Sequence, residues 1–346
     1  MTVINRTAEF LAAEGAAFAG PPSSHVPVES PDRHARATRG MGLPGGDRSR
    51  RAGRVAFVFQ GGGSLSAPQV GMLWALSEAG LMPDLVIGSS AGALNAVAFA
   101  SDPSPIGVGR LEAAWRSLRR RHVAPFSVRT LAAAVAGRGD GLVSNSAMRG
   151  MLASAAIAGR LSDTPIPAHV VATELTSGAA VVLSDGETRP ALLASCAFPG
   201  LYPPVKVGER LLVDGGVSAD IPVLQAEALG ARVSYVLPAA TCRFARSSPR
   251  GPLRLACHAL SQILDSVARS NVAAVHGPVH VLPTPSSRAT NPFDFRDTAR
   301  LIDEGHRLAT GWLASHMIRV GAGARTNGIL SPDGLTGKVF GAVEAA

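Results

Sequence analysis

Val55-Ala56-Phe57-Val58-Phe59-Gln60-Gly61-Gly62-Gly63-Ser64 and, further on, Leu85-Val86-Ile87-Gly88-Ser89-Ser90-Ala91-Gly92 decide the fold. Each begins with an unbroken apolar run, as a strand buried on both faces requires. Each run ends in Gly and Ser and passes directly into a helical pattern. The first helix is expected from about Ala67 to Ala79, closed by Gly80, with Pro68 in the first turn where proline is tolerated. Met72, Leu73 and Leu76 form its apolar stripe. The second runs from Ala91 to about Ala100. Strand–helix–strand–helix predicts an α/β fold with a parallel sheet.

The same reading extends along the chain. Residues 105–165 read as mostly helical, most clearly Leu111 to Arg121, and their position suggests a wall or cover for a pocket. Strands are expected at Ala168–Ala172 and Ala179–Leu183, then a helix at Arg189–Cys196. Arg210–Val213 reads as a strand running into Asp214-Gly215-Gly216, followed by a helix from near Pro222 to Gly230. Arg232–Leu237 and Val279–Leu282 read as late strands, and Phe295–His316 holds an amphipathic helix. No internal repeat is visible.

The domain is expected to span residues 51–320. Residues 1–50 read as a disordered basic leader, Pro-, Gly-, Ser- and Arg-rich from Gly20 to Gly53, and residues 321–346 as a tail without pattern. The chain has 346 residues, 46% of them hydrophobic, enough to build a sizeable core. No apolar run is long enough for a transmembrane helix, and Glu9 and Glu14 interrupt what would be a signal peptide's apolar region. Three cysteines without CxxC spacing fit a reduced, cytoplasmic protein and offer no metal-site pattern.

The net charge of +8 comes almost wholly from Arg, spread along the chain as compositional drift would leave it. Two clusters stand out: Arg48, Arg50, Arg51 and Arg54, and Arg116, Arg119, Arg120 and Arg121. Neither is interleaved with aromatics, so no nucleic-acid partner is expected. Peripheral contact with an anionic membrane is compatible with the charge.

Three features carry chemistry. In Gly88-Ser89-Ser90-Ala91-Gly92, a serine on a sharp strand-to-helix turn with small neighbours suits a nucleophile, although a helix N-cap would use the same residues. Gly61-Gly62-Gly63 opens a helix with bare N–H groups. It lacks the Gly-Lys-Ser/Thr of a phosphate loop and the last Gly of a dinucleotide loop, which leaves an oxyanion hole or a plain tight turn. Asp214-Gly215-Gly216 puts a carboxylate at a strand end, either to deprotonate Ser90 directly or merely to form a turn. Five histidines after Asp214 (His258, His276, His280, His306 and His316) keep a Ser–Asp–His order open on residues alone.

Together these segments resemble the bacterial patatin-like phospholipases. The resemblance rests on Phe59-Gln60-Gly61-Gly62-Gly63 with Gln69-Val70-Gly71, on Gly88 through Ala96, and on Val171-Ala172-Thr173-Glu174-Leu175-Thr176-Ser177-Gly178. It continues through Ala197-Phe198-Pro199-Gly200-Leu201-Tyr202-Pro203-Pro204 and Val213-Asp214-Gly215-Gly216 with Ile221-Pro222-Val223. Weaker likeness follows at Pro292–Phe295 and Leu301–Gly305, so it covers roughly Arg54 to Leu313.

The resemblance implies a three-layer sandwich, a mostly parallel central sheet flanked by helices. It also implies a serine acyl hydrolase acting on lipid or ester substrates without cofactor or metal. Ser90 would be the nucleophile and Asp214 its base; Gly61, Gly62 and Gly63 would supply oxyanion amides, with Gly88, Gly92, Gly215 and Gly216 shaping the turns. The sequence departs from the family at Leu65, where many members carry Arg or Lys, and at Ser66, where Gly is usual. Ser66 would either crowd the oxyanion turn or cap the helix. Asp220 is expected to cap the helix that follows it. Two readings from other classes stand beside the enzyme: a catalytically silent interaction protein of the same fold, and a binder that uses the Arg-rich leader.

Overall fold

A computed structural model describes residues 54–125, 141–242, 252–287 and 292–321. The expected leader lies outside these residues, as does nearly all of the expected tail.

Ten strands and ten helices are labelled here in chain order. The strands are β1 (Val55–Phe59), β2 (Leu85–Ser89), β3 (Ala168–Glu174), β4 (Ala180–Leu183), β5 (Val205–Val207), β6 (Arg210–Asp214), β7 (Val233–Leu237), β8 (Thr241–Cys242), β9 (Val279–Val281) and β10 (Ser286–Ser287). The helices are α1 (Pro68–Glu78), α2 (Ala91–Ser101), α3 (Pro105–Ser117), α4 (Arg120–Val123), α5 (Ser146–Ser154), α6 (Thr188–Ser195), α7 (Gly216–Ala219), α8 (Val223–Ala228), α9 (Pro252–Ala274) and α10 (Thr298–Gly321).

The main sheet has the order β5-β6-β3-β2-β1-β7-β9, with β4 also paired to β3. The five strands β3-β2-β1-β7-β9 are parallel, and β4, β5 and β6 add antiparallel pairings on one side. β8 and β10 form a separate two-stranded ribbon.

The period of two in β1 divides the molecule into layers. Phe57 and Phe59 face a core built with Val70, Leu73 and Leu76 of α1, Phe99 of α2 and Leu301 and Ile302 of α10. Ala56 and Val58 face the opposite core, with Ala219 of α7 and Val223 and Ala226 of α8. Helices therefore cover both faces of a mostly parallel sheet, giving the three-layer sandwich.

α1 is more buried than its stripe predicts, because α10 packs on its other side. A Cβ on Gly71 would lie 2.1 Å from the Ile302 carbonyl oxygen, and one on Gly305 would lie 2.5 Å from that of Pro68. Small residues let the two backbones nearly touch. Among the described residues no helix is long and apolar enough to cross a membrane.

Candidate active site

Ser90 sits between the end of β2 and the start of α2, at φ 53° and ψ −129°. Among the described residues it is the only non-glycine with positive φ. Such a conformation costs on the order of 1–3 kcal/mol and persists only where the surroundings impose it. They do so here. The Ser90 N–H donates to Ser195 Oγ at 2.9 Å, and Ser195 Oγ donates to the Val171 carbonyl at 2.6 Å. Gly88 and Gly92 allow the turn to close: a Cβ on Gly88 would lie 2.5 Å from the Gly92 oxygen, and one on Gly92 would lie 2.5 Å from the oxygens of Phe59 and Gln60. Ser90 is thus the N-cap of α2 by position, without a side-chain cap bond. Its hydroxyl points elsewhere.

Ser90 Oγ donates to Asp214 Oδ2 at 2.7 Å. Asp214 ends β6 and is 3% exposed. Its Oδ1 accepts the Gly216 N–H at 2.8 Å, its N–H donates to the Ala197 carbonyl at 3.0 Å, and its own carbonyl accepts from Thr173 Oγ1 at 2.8 Å. Gly215 lies so near β3 that a Cβ there would be 2.1 Å from the Val171 oxygen. Burial pushes the Asp214 carboxyl up to about 7, against the bonds from Ser90 and Gly216, with the negative charge of Asp220 adding to the rise. The buried thiol of Cys196 also faces Asp214; burial and that charge push it well above its ordinary value, so it stays protonated. Burial likewise raises the Tyr202 phenol, which donates to the Val123 carbonyl at 2.9 Å and so joins α4 to this side of the site.

The glycine run lies beside Ser90. A Cβ on Gly61 would be 3.3 Å from Ser90 Cβ. The three glycines are not equivalent, however. The Gly61 N–H donates to the Asp220 carbonyl at 3.1 Å and is unavailable to an oxyanion. Gly62 (φ 148°) and Gly63 (φ 57°) take backbone conformations that L side chains rarely adopt, and no protein acceptor among the described residues takes their N–H groups. Of the three expected donors, two remain free for an anion, and Gly61 is an anchor.

Ser66 does not cap a helix; it lies in the turn itself, its Oγ 3.3 Å from the Cβ position of Gly62. It is fully buried, and its Oγ donates to the Gln60 carbonyl at 3.4 Å; the N-cap of α1 is Ala67. The same carbonyl accepts from Gln69 Nε2 at 2.7 Å. Gln69 Oε1 accepts from Asn95 Nδ2 at 2.8 Å, and Asn95 Oδ1 accepts from Trp115 Nε1 at 2.7 Å. A buried polar chain from α3 through α2 and α1 thus holds the peptide that precedes the glycines.

Asp220 does not cap α8, whose N-cap is Pro222 without a side-chain bond. Its carboxylate instead accepts from Gln60 Nε2 at 2.8 Å. No described histidine side chain bonds to Ser90 or Asp214. His169 meets Ser184, His276 meets Glu227, His306 meets Glu78, His316 meets the Trp312 carbonyl and His280 stacks near Tyr235. The side chain of His258 lies outside the described ones. No group of three or more His, Cys, Asp or Glu that could hold a metal occurs among the described residues. Of the second arginine cluster, Arg116 pairs with Glu112 and Asp303, and Arg119 donates to the carbonyls of Arg116 and Leu118.

A half-buried serine on a strained strand-to-helix turn, beside a glycine turn with free amides on a mostly parallel sheet, is the arrangement of a nucleophile elbow in an α/β fold. Residues 57–227 match the family model described as patatin-like phospholipase. An uncharacterized NTE family protein of Mycobacterium tuberculosis is 32% identical over 179 residues, 51% of this chain and 46% of that protein. A patatin-like phospholipase domain-containing protein 7 of Rattus norvegicus is 29% identical over 206 residues, 59% of this chain and 14% of that protein. Residues 57–227 form a patatin-like phospholipase domain, and the chain spans less than half the length of these two relatives. Among solved structures, VipD from Legionella pneumophila aligns with a TM-score of 0.36 and 15% identity over 77% of this chain and 67% of that one, too loosely to support an argument about the site.

Proposed function

We propose that this chain is a serine acyl hydrolase that cleaves carboxylic esters of lipids through a Ser90–Asp214 dyad. The observation that carries the reading is the 2.7 Å hydrogen bond from Ser90 Oγ to a buried carboxylate pushed up to about 7. A carboxylate at its ordinary value would be a weak base; one near 7 can take the serine proton at neutral pH.

Ser90 Oγ attacks the ester carbonyl carbon as its proton passes to Asp214 Oδ2. The carbonyl oxygen becomes an oxyanion and accepts from the N–H groups of Gly62 and Gly63. The tetrahedral centre collapses, the bond to the alcohol oxygen breaks, and Asp214 returns its proton to that alcohol. A water then loses a proton to Asp214 and attacks the acyl-serine. Collapse releases the carboxylic acid, and the proton returns to Ser90. The fixed N–H bond from Ser90 to Ser195 keeps Oγ aimed throughout. Ser66 packs beside Gly62 with its hydroxyl bonded to the Gln60 carbonyl, which supports a held rather than a blocked oxyanion turn.

An ester panel of varied chain length and headgroup, run on wild type, Ser90→Ala and Asp214→Asn, tests this. Hydrolysis by the wild type with loss in both variants is expected. Equal turnover by all three would refute it.

A further inference from the structure

The dyad uses one carboxylate, but a second stands beside it. Asp220 Oδ1 lies 2.5 Å from where a Cβ on Gly61 would be, and Ser90 Cβ lies 3.3 Å from the same point. It also lies 3.2 Å from the Cβ position of Gly216, and Asp214 Oδ1 lies 3.1 Å from that position. The two carboxylates therefore flank one glycine, and Asp220 also borders the nucleophile. Its other bonds go to the strand end before the oxyanion turn: Oδ2 accepts from Gln60 Nε2, and its carbonyl accepts from Gly61 N–H.

We infer that Asp220 is a positioning residue that ties the glycine turn to the loop of the base and, as a second carboxylate coupled to Asp214, sets the pH at which the dyad becomes active. This rests on the dyad reading above.

Among the described residues neither Asp214 nor Asp220 has a salt-bridge partner. Asp265 on α9 adds a third negative group acting on Asp220, and the charge of Arg269 acts on Asp265. Gln60 is neutral. Cys196 and Tyr202, which face Asp214, are held protonated by burial. Burial and the Asp265 charge lift Asp220 to about 6, against the bonds from Gln60 and Gly61. Two close carboxyls without a counterion lose their protons in two steps that belong to the pair. Once one is charged, the other ionises only at higher pH, and Ser90 lacks its base until Asp214 does so.

The test is the pH dependence of kcat/KM for Asp220→Asn. Asn keeps an acceptor for Gln60 and removes the charge. The acid limb should move down by about half a pH unit to one unit, because Asp214 then ionises without a charged neighbour. Asp220→Ala should show the same shift and, having lost the Gln60 bond, a further fall in kcat of about tenfold. A purely structural residue would lower the plateau without moving the limb. Dyad-dependent activity with an unmoved or raised limb would overturn this inference alone. Activity that survives Ser90→Ala would overturn the dyad and this inference together. Carbon-13 NMR titration of the aspartate carboxyls in the wild type tests the coupling without substitution. Asp214 and Asp220 should each show a biphasic curve with shared inflections, and two independent single-step curves would overturn the coupling.

Discussion

Asp214→Asn should remove activity and, at alkaline pH, make the protein more stable. The wild-type carboxyl is 3% exposed, and its pKa rises from 3.8 to about 7 on folding, chiefly through burial. A raised carboxyl favours the fold in its protonated form. Its contribution is fully present below about pH 4 and is lost as the pH rises to about 7. At about 1.4 kcal/mol per unit, the ionised carboxylate costs about 4 kcal/mol above pH 7. Asn is nearly isosteric and has no charge to bury. Its single carbonyl oxygen cannot accept from both Ser90 and Gly216, and the lost bond costs about 1 kcal/mol at every pH. The stability of the variant relative to wild type should therefore improve by about 3 kcal/mol from pH 5 to pH 8. Urea unfolding at the two pH values reads this directly. A difference that stays flat, or that grows in favour of the wild type, would refute the claim that the fold keeps a strained, costly base.

Three further outcomes follow from named contacts. Ser90→Gly should be about 1 kcal/mol more stable than Ser90→Ala in thermal unfolding, since both lose the Asp214 bond and only Gly relieves φ 53°; equal midpoints would contradict this. Gly61→Ala places a methyl 2.5 Å from Asp220 Oδ1 and beside Ser90, and should lower kcat/KM about a hundredfold in a folded protein. Asn95→Ala leaves Trp115 Nε1 and Gln69 Oε1 buried without these partners and should cost about 3 kcal/mol in urea unfolding, with a smaller loss pointing to water in the gap.

The segment from Val55 to Ser101 was legible because local pattern suffices there. Its strands are apolar runs, its helices have clear starts, and a strand–Gly–helix junction has few alternatives. Asp214 was visible as a strand-end Asp-Gly-Gly, but its pairing with Ser90 came from resemblance to a family, since spacing alone left histidines open. Other features bind residues far apart and leave no local mark. Ser195 holds the Ser90 amide from α6, and Asp220, 160 residues further along the chain, reaches Gln60. The expectation that Asp220 caps a helix failed because a cap-like sequence position says nothing of which distant residue the side chain meets. The Gln69–Asn95–Trp115 chain is equally nonlocal: its amides sit on helix faces that sequence reads as apolar. β5 is only Val205–Val207, too short for a period, whereas α9 is strongly amphipathic and its helical spacing was there to be read in the sequence.

In the proposed mechanism Ser90 is a nucleophile activated by Asp214. A long-chain fluorophosphonate at pH 8, followed by peptide mapping, tests it most directly. A single phosphonylated residue, Ser90, is expected in the wild type, with labelling at least a hundredfold slower in Asp214→Asn. An unlabelled Ser90 in folded protein, or equal labelling in the two, would contradict it.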